Sequence, residues 1–164
     1  MNSNKTLRNV FVWIKDGLPP ARWEPPAQSA KLDQNGCVYE PHVLGIMEGQ
    51  ELEILNHDPV NHNVHAESRI NPAWNESQPP RAEHKFKQFE SPEGLFPVTC
   101  SVHPWMRSYI GVSPNPFFAG PSYASTAGSR PTARNDLRIK FALTPVNRSE
   151  VMMSSAVASK TICL

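Results

Sequence analysis

The chain has 164 residues, which suits one domain of ordinary size with a tail and does not require a second hydrophobic core. Its 17 prolines are roughly twice the average usage, and charged residues make up only 19%, so a loop-rich β protein is favoured over a helical one. The net charge of +1 gives no reason to expect nucleic-acid binding, and no apolar run approaches the roughly 18 residues of a membrane span.

Predicted strands are short and lie between turn residues along the body of the chain. The first covers residues 10–14, which are β-branched and aromatic, and it ends before a proline-rich loop over residues 18–28. Residues 69–81 contain three prolines and are expected to form a loop or a broken helical turn. Further strands are expected at residues 38–39, 43–46, 52–55, 86–89 (the weakest candidate), 95–98 and 109–112. Many short strands with frequent turns predict an all-β protein, specifically a β-sandwich.

Residues 120–164 differ from the rest of the chain in composition and charge. Residues 1–119 carry 10 basic and 13 acidic side chains, net −3, whereas residues 120–164 carry 6 and 2, net +4. The second region opens with a run rich in Ser, Ala, Thr and Arg, which is typical of disorder. We predict a folded domain over residues 7–119 and a low-order basic tail over residues 120–164. The abrupt change of composition and charge suggests, as a hypothesis, a frameshifted or replaced C-terminus. A lone strand at residues 138–143 is the structural alternative.

A cluster of metal-ligating side chains lies near the end of the predicted domain. Cys100-Ser-Val-His103-Pro-Trp-Met106 places a thiolate, an imidazole and a thioether within one short segment, and a second imidazole lies upstream at His62. Soft sulfur ligands with two histidines select copper over hard cations, and a trigonal His-His-Cys set with a weak axial Met forms the blue-copper electron-transfer site. Zinc also takes Cys and His but seldom a thioether, so Met106 favours copper. One copper ion is therefore the predicted cofactor.

The spacing of these ligands fits one loop between two strands. If Cys100 ends one strand and Met106 begins the next, the loop between them is tight enough for Cys100, His103 and Met106 to face a single point. Predicted strands at residues 95–98 and 109–112 lie on either side of this loop. The fourth ligand must then come from a neighbouring strand end, where His62 could lie.

Several segments resemble a known family of copper proteins. His103-Pro-Trp-Met resembles the ligand loop of amicyanin, the short-loop blue copper protein, and His62-Asn-Val-His resembles its upstream ligand segment. The resemblance to bacterial plastocyanin-like proteins of the cupredoxin superfamily extends from Asn9 to Ala119. It is carried further by the segments Gly36-Cys-Val-Tyr-Glu-Pro-His-Val, Asp58-Pro-Val-Asn-His-Asn-Val-His, Trp74-Asn-Glu-Ser-Gln-Pro-Pro and Val98-Thr-Cys-Ser-Val-His-Pro-Trp-Met-Arg.

The resemblance implies a cupredoxin-like Greek-key β-sandwich that binds copper through His62, Cys100, His103 and Met106. It places the upstream ligand at the first histidine of His-Asn-Val-His. It also implies a periplasmic or other extracytoplasmic location, because proteins of this family generally carry out their redox chemistry outside the cytoplasm. The segment Met1-Asn-Ser-Asn-Lys-Thr-Leu-Arg lacks the apolar core of a secretory signal, so we expect either a trimmed leader or a reading frame that starts late.

Residues beside the predicted ligands each have two interpretations. Asn63 is either a polar loop residue without a specific role or a group that hydrogen-bonds across to the loop carrying Cys100. Residues next to metal ligands often make such hydrogen bonds. Trp105 is either a core residue or, together with Pro104, an apolar collar around His103 through which an electron passes.

The remaining histidines and cysteines have less specific interpretations. His65 lies three residues past His62, so on an extended chain it points to the opposite face and is not expected to bind the metal. Cys37 and Cys163 complete an odd set of three cysteines, whose connectivity does not follow from sequence. A disulfide between Cys37 and Cys100 would abolish the copper site, and Cys37 is interpreted as a packed thiol.

The ligand set predicts a one-electron carrier and not an enzyme. Four protein ligands leave no open coordination position for catalysis, and we find no convincing Ser-His-Asp grouping, phosphate-binding glycine loop or carboxylate pair. We expect a monomer that docks transiently on redox protein partners, without a nucleic-acid partner or a membrane span. Two alternatives stay open: a copper-binding or copper-delivery protein without a redox partner, and an incomplete reading frame that makes no working protein.

Overall fold

The computed structural model describes residues 9–120 and, as a strand, residues 140–145; within these ranges it contains strands and no helix. The strands are β1 (Val10–Asp16), β2 (Ala30–Gln34), β3 (Tyr39–Glu40), β4 (Val43–Met47), β5 (Glu51–Asn56), β6 (His62–Ala66), β7 (Trp74–Gln78), β8 (Lys85–Gln88), β9 (Glu93–Thr99), β10 (Arg107–Ser113), β11 (Phe118–Ala119) and β12 (Lys140–Pro145). Among the described residues, no membrane-spanning helix is present.

The strands are arranged in three sheets. The largest has five strands in the order β4-β10-β9-β6-β7, and the second has four in the order β3-β2-β5-β8. Neighbours run antiparallel except for β4 with β10 and β2 with β5, which run parallel. The third sheet has the order β11-β1-β12, and β1 is antiparallel to both partners. Between β3 and β9 the chain passes back and forth between the two larger sheets, so these sheets belong to one folded unit.

The main hydrophobic core lies between the two larger sheets. The four-stranded sheet contributes Leu32, Leu52 and Ile54, and the five-stranded sheet contributes Val64 and Ile110, all of them almost completely buried. Leu52 and Ile54 are two residues apart on β5, which is the spacing that places side chains on the same face of a strand. Burying one such side chain contributes roughly 1.5–3 kcal/mol, so this layer holds the two sheets together.

A second apolar cluster attaches β1 to the sandwich. Phe11 on β1 is fully buried and packs with Val43 and Phe118. Its ring lies directly over Gly45 and Gly111, which pair with each other across β4 and β10. A Cβ added at Gly111 would be 2.5 Å from the Phe11 ring, so the absence of a side chain is what lets the ring approach the sheet.

Most strands lie where the sequence predicts them, and the all-β prediction is confirmed. The strands β2, β6 and β11, however, lie outside the predicted strand segments. The prediction of a loop or broken helical turn over residues 69–81 is wrong, because β7 occupies the middle of that segment. This strand lies at an edge of the five-stranded sheet and alternates half-buried with exposed positions before a buried end. Its polar composition and the prolines on both sides mask the strand in the sequence.

The segment that the sequence assigns to a basic tail contributes one described strand. β12 runs antiparallel to β1, with backbone pairs from Val10↔Pro145 to Asp16↔Lys140. It overlaps the segment for which a lone strand is the structural alternative. Residues 121–139 and 146–164 lie outside the described residues, so the low order of the tail and the domain boundary at residue 119 stay predictions.

We expect Gly111→Ala to lower the free energy of unfolding by about 1–3 kcal/mol, because the added methyl must displace the Phe11 ring. Urea denaturation measures this loss. Gly94→Ala is the control, since it lies in β9 and its added carbon meets no atom within 4 Å; it should change stability by less than about 1 kcal/mol. Equal losses of stability in the two variants would show that the packing of the Phe11 ring does not require a glycine at position 111.

Candidate metal centre

The loop between β9 and β10 carries three of the four predicted ligands. Thr99 and Arg107 pair with each other in the antiparallel ladder and join the two ends of the loop. Within it, the backbone N–H of Cys100 donates to the carbonyl of Met106 at 3.3 Å, and the N–H of Met106 donates to the carbonyl of His103 at 2.9 Å. These hydrogen bonds join the backbone of Cys100, His103 and Met106 within one compact loop.

The fourth predicted ligand, His62, is the first residue of β6, in the sheet that also contains β9 and β10. Its Nδ1 lies 2.9 Å from Nδ1 of His103, and the two rings meet edge to face with centroids 4.6 Å apart. Two imidazole nitrogens this close are directed into the same small volume, as two ligands of one ion must be. His65, further along β6, lies instead 3.9 Å from Oε1 of Glu67.

All four predicted ligands are shielded from solvent. Each of them is at most 7% exposed, and His103 is the one with the largest exposed fraction. Cys100 and Met106 also belong to the main hydrophobic core cluster. A metal ion at this place would therefore have apolar packing behind it and one histidine toward the surface.

Cys100 supplies a free thiol at this site. Its Sγ lies 3.8 Å from Nδ1 of His103 and 3.3 Å from Oδ1 of Asn63. Because Cys100 is not in a disulfide, the bond to Cys37 that would abolish a copper site is not present. A thiolate can therefore form beside the two imidazoles.

A second sulfur lies beside the same two histidines. The ligand atoms of Cys37, His62 and His103 all lie within 4.8 Å of one another, which by distance alone fits a metal-binding group. Cys37 is disulfide-bonded, however, and a disulfide sulfur lacks the thiolate charge that makes cysteine a strong ligand. The interpretation of Cys37 as a packed thiol is therefore wrong. Of the two sulfurs, that of Cys100 is the one able to bind as a thiolate.

Asn63, next to His62, joins β6 to the metal-binding loop. Its Oδ1 accepts a hydrogen bond from the backbone N–H of Ser101 at 2.6 Å. Its Nδ2 donates to Oγ of Ser101 at 3.1 Å and to Oδ1 of Asn75 at 2.7 Å. These bonds reach across to the residue that follows Cys100. The role of Asn63 in supporting a bound metal stays a prediction.

Two buried side chains beside the ligands have no recognisable local signal in the sequence. The hydroxyl of Tyr39 donates to the carbonyl of Asn63 at 2.6 Å and lies 3.1 Å from the carbonyl of Thr99, so it joins β3 to β6 and β9. Oδ2 of Asp58 lies 2.8 Å from Nε2 of His62. Both contacts depend on how strands and turns meet in space. Only the family resemblance of their segments could have drawn attention to them.

Burial controls the charge of two groups at the site. It lowers the pKa of His103, and the neighbouring His62 adds to this effect while Asp58 opposes it. It also raises the pKa of Tyr39, as do the charge of Cys100 and the hydrogen bond with it. A neutral His103 can offer a nitrogen lone pair to a cation, and a protonated Tyr39 keeps its hydroxyl donor.

The loop turns an apolar surface outward next to His103. Trp105 is 50% exposed, and its ring packs edge to face against that of His103 with centroids 5.2 Å apart. Its Nε1 donates to the carbonyl of Cys37 at 3.1 Å. Val102 and Pro104 are exposed on the same loop. Trp105 is thus a half-exposed cover of the histidine and not a core residue.

The comparisons give structural likenesses but no family match. No family model and no curated protein matches the chain. A copper-containing nitrite reductase from Thermus scotoductus SA-01 is 21% identical with a TM-score of 0.48, and the alignment covers 55% of this chain and 25% of that one. A reduced tryptophan-to-tyrosine mutant of amicyanin is 22% identical with a TM-score of 0.46 over 62% and 98% of the two chains. A purple cupredoxin from Nitrosopumilus maritimus is 24% identical with a TM-score of 0.44 over 52% and 100%.

The chain therefore spans about a quarter of the length of that nitrite reductase but nearly the whole of the amicyanin. Its own strand order defines the class of fold. Two packed sheets with mixed pairing, between which the chain passes repeatedly, form an all-β sandwich, as the sequence predicted.

We expect Asn63→Ala to lower the unfolding free energy of the metal-free protein by roughly 1–3 kcal/mol, because the partly buried N–H of Ser101 loses its acceptor. Urea denaturation of the metal-free protein measures the loss. Asn61→Ala removes only an exposed bond with Ser77 and should stay within about 0.5 kcal/mol of the wild type. If the two variants are equally stable, Asn63 does not hold the loop.

Proposed function

We propose that the protein is a type 1 copper protein that carries one electron at a time between redox partners. The observation that carries this proposal is the approach of His62 Nδ1 and His103 Nδ1 to 2.9 Å beside the free, buried thiol of Cys100. Met106 would complete the proposed set as its fourth ligand. These four residues come from one strand end and one loop, which is a compact way to build a four-ligand site.

The donor set fits copper better than other biological cations. Thiolate and thioether sulfur select soft ions, and imidazole suits copper as well as zinc. Magnesium and calcium require oxygen ligands, and none of the four residues supplies one. The lowered pKa of His103 keeps its ring neutral and able to bind. Copper would supply the chemistry by alternating between its +1 and +2 states.

The chain supports electron transfer by holding its ligands still. The loop is closed by the β9–β10 ladder and by its own backbone hydrogen bonds, and Asn63 and Tyr39 connect it to β6 and β3. Such a site changes little in shape when the charge of the ion changes. Trp105 and Pro104 then form the apolar surface through which a partner exchanges an electron with His103.

We infer that the partners are redox proteins that dock transiently and that the protein works as a periplasmic monomer. The apolar exposed surface next to His103 supports docking over the buried site. A carrier of this kind needs no substrate pocket, and catalysis is not part of the proposal. Copper delivery without a redox partner is the rival function. It predicts release of the ion to an acceptor, whereas a carrier keeps its copper through repeated reduction and oxidation.

The oxidised protein is expected to bind one copper ion and to show an intense visible absorption from thiolate-to-copper charge transfer. Cys100→Ser should erase that absorption, because it removes the thiolate. Cys37→Ser is the matched control, since it changes the other buried sulfur beside the same histidines. The visible absorption of the wild type and of both variants is measured during titration with Cu(II). A colourless wild type, or a colour that depends on Cys37 and survives in Cys100→Ser, would contradict the proposal.

Substitutions of Met106 should move the reduction potential in opposite directions. Met106→Gln should lower it, because an oxygen donor favours Cu(II) more than a thioether does, and Met106→Leu should raise it by removing the donor at similar volume. Protein-film voltammetry of the copper-loaded variants measures both. Two unchanged potentials would show that Met106 is structural and that the site has another fourth ligand.

A further inference from the structure

Asp58 makes three short contacts with donors in the interior of the protein. Its Oδ1 accepts from the backbone N–H of Gly36 at 2.6 Å, and its Oδ2 accepts from the N–H of Cys37 at 2.9 Å. The same Oδ2 lies 2.8 Å from Nε2 of His62. The carboxylate is buried, so these contacts replace the water that would otherwise solvate its charge.

The contact with Asp58 decides which nitrogen of His62 carries the proton. Both oxygens of Asp58 already act as acceptors, toward the backbone N–H groups of Gly36 and Cys37, so in the third contact Nε2 of His62 is assigned as the donor. In the neutral ring the lone pair then lies on Nδ1, the nitrogen directed toward His103. With that tautomer, the 2.9 Å contact between the two Nδ1 atoms requires His103 to be the donor and His62 the acceptor in the metal-free protein.

The other two contacts of Asp58 stabilise an unusual turn. Gly36 and Cys37 both have positive φ, 71° and 56°, and the N–H of Asn35 donates to the carbonyl of Val38 at 3.1 Å. Two successive positive values are typical of the two-residue hairpin turn, and a residue other than glycine is strained there. The carboxylate binds both N–H groups of this turn, which offsets the strain at Cys37.

The turn also reaches the second histidine of the site. The carbonyl of Cys37 accepts the hydrogen bond of Trp105 Nε1, and the Trp105 ring packs against His103. A continuous set of contacts therefore runs from His62 through Asp58 and the backbone of Cys37 to Trp105 and His103. Both proposed nitrogen ligands are held by the same short turn.

We propose that Asp58 is the positioning residue of this metal centre: it fixes His62 in the tautomer whose Nδ1 faces the ion and ties both histidines to the Gly36–Cys37 turn. The inference rests on the proposed copper function for its consequences but not for the tautomer. With copper bound, the carboxylate makes the imidazole a stronger donor and so favours Cu(II). Removing the charge should weaken Cu(II) binding by about 10- to 100-fold and raise the reduction potential.

The first test uses the metal-free wild type and needs no copper chemistry. Nitrogen-15 NMR of the histidine rings, at a pH where they are neutral, should show His62 protonated on Nε2 and His103 protonated on Nδ1. A His62 ring that is protonated on Nδ1 would overturn the inference. This result is decisive even if the protein turns out to bind no copper, so failure of the proposed function and failure of the positioning role are distinguishable.

The second test compares Asp58→Asn with Asp33→Asn. Asp33 provides a matched control, because it also pairs with a histidine, His57 at 2.7 Å, but on the exposed surface. Asp58→Asn should bind Cu(II) about 10- to 100-fold more weakly and have a higher reduction potential. Asp33→Asn should match the wild type in both quantities. Copper titration against a competing chelator and voltammetry measure the two quantities.

A purely structural role for Asp58 gives a different pattern. In that case Asp58→Asn would lose stability to urea but keep the wild-type potential and Cu(II) affinity, and the inference would be wrong. If Asp58→Asn is too unstable to load with copper, Asp58→Glu keeps the charge and should retain the Nε2–H tautomer and a potential near that of the wild type. A glutamate variant with a changed tautomer would also overturn the inference.

Discussion

The pairing of Thr99 with Arg107 is the constraint on which the candidate metal centre depends. It makes β9 and β10 adjacent at the point where the chain leaves one and enters the other, so Cys100, His103 and Met106 must share one tight loop. β10 is in turn fixed against β4, and β9 against β6. A loop held on both sides by a five-stranded sheet cannot open without breaking ladder hydrogen bonds. The backbone at both ends of the loop is therefore fixed by the sheet.

The second requirement is that polar groups can be buried at the end of an apolar core. Every ligand side chain is buried, and an unpaired polar group there would destabilise the fold. The structure meets this requirement by giving these side chains specific hydrogen-bond partners. Asn63 bonds to Ser101, and the carboxylate of Asp58 accepts from two backbone N–H groups and contacts His62. The same bonds that satisfy these groups also orient the histidines, so stability and ligand geometry have a common origin.

Local sequence patterns predicted the features that depend on residues close together in the chain. The spacing of Cys100, His103 and Met106 predicted a single ligand loop because seven residues between two strands have few ways to fold. The choice of His62 required family resemblance, since nothing local connects it with His103, which is 41 residues away. Asp58 was not predicted at all, because its partners lie on a turn between β2 and β3.

The strand β7 was missed because its polar residues and flanking prolines are typical of a loop. The disulfide state of Cys37 likewise depends on tertiary structure.

We propose that one copper ion is bound by two imidazoles and the thiolate of Cys100. X-ray absorption spectroscopy at the copper edge, on the loaded wild type and on Cys37→Ser, tests it most directly. We expect a coordination shell of two imidazole nitrogens and one short copper–sulfur bond, unchanged when Cys37 is replaced. A shell made only of nitrogen and oxygen, or a copper–sulfur bond that disappears in Cys37→Ser, would contradict it.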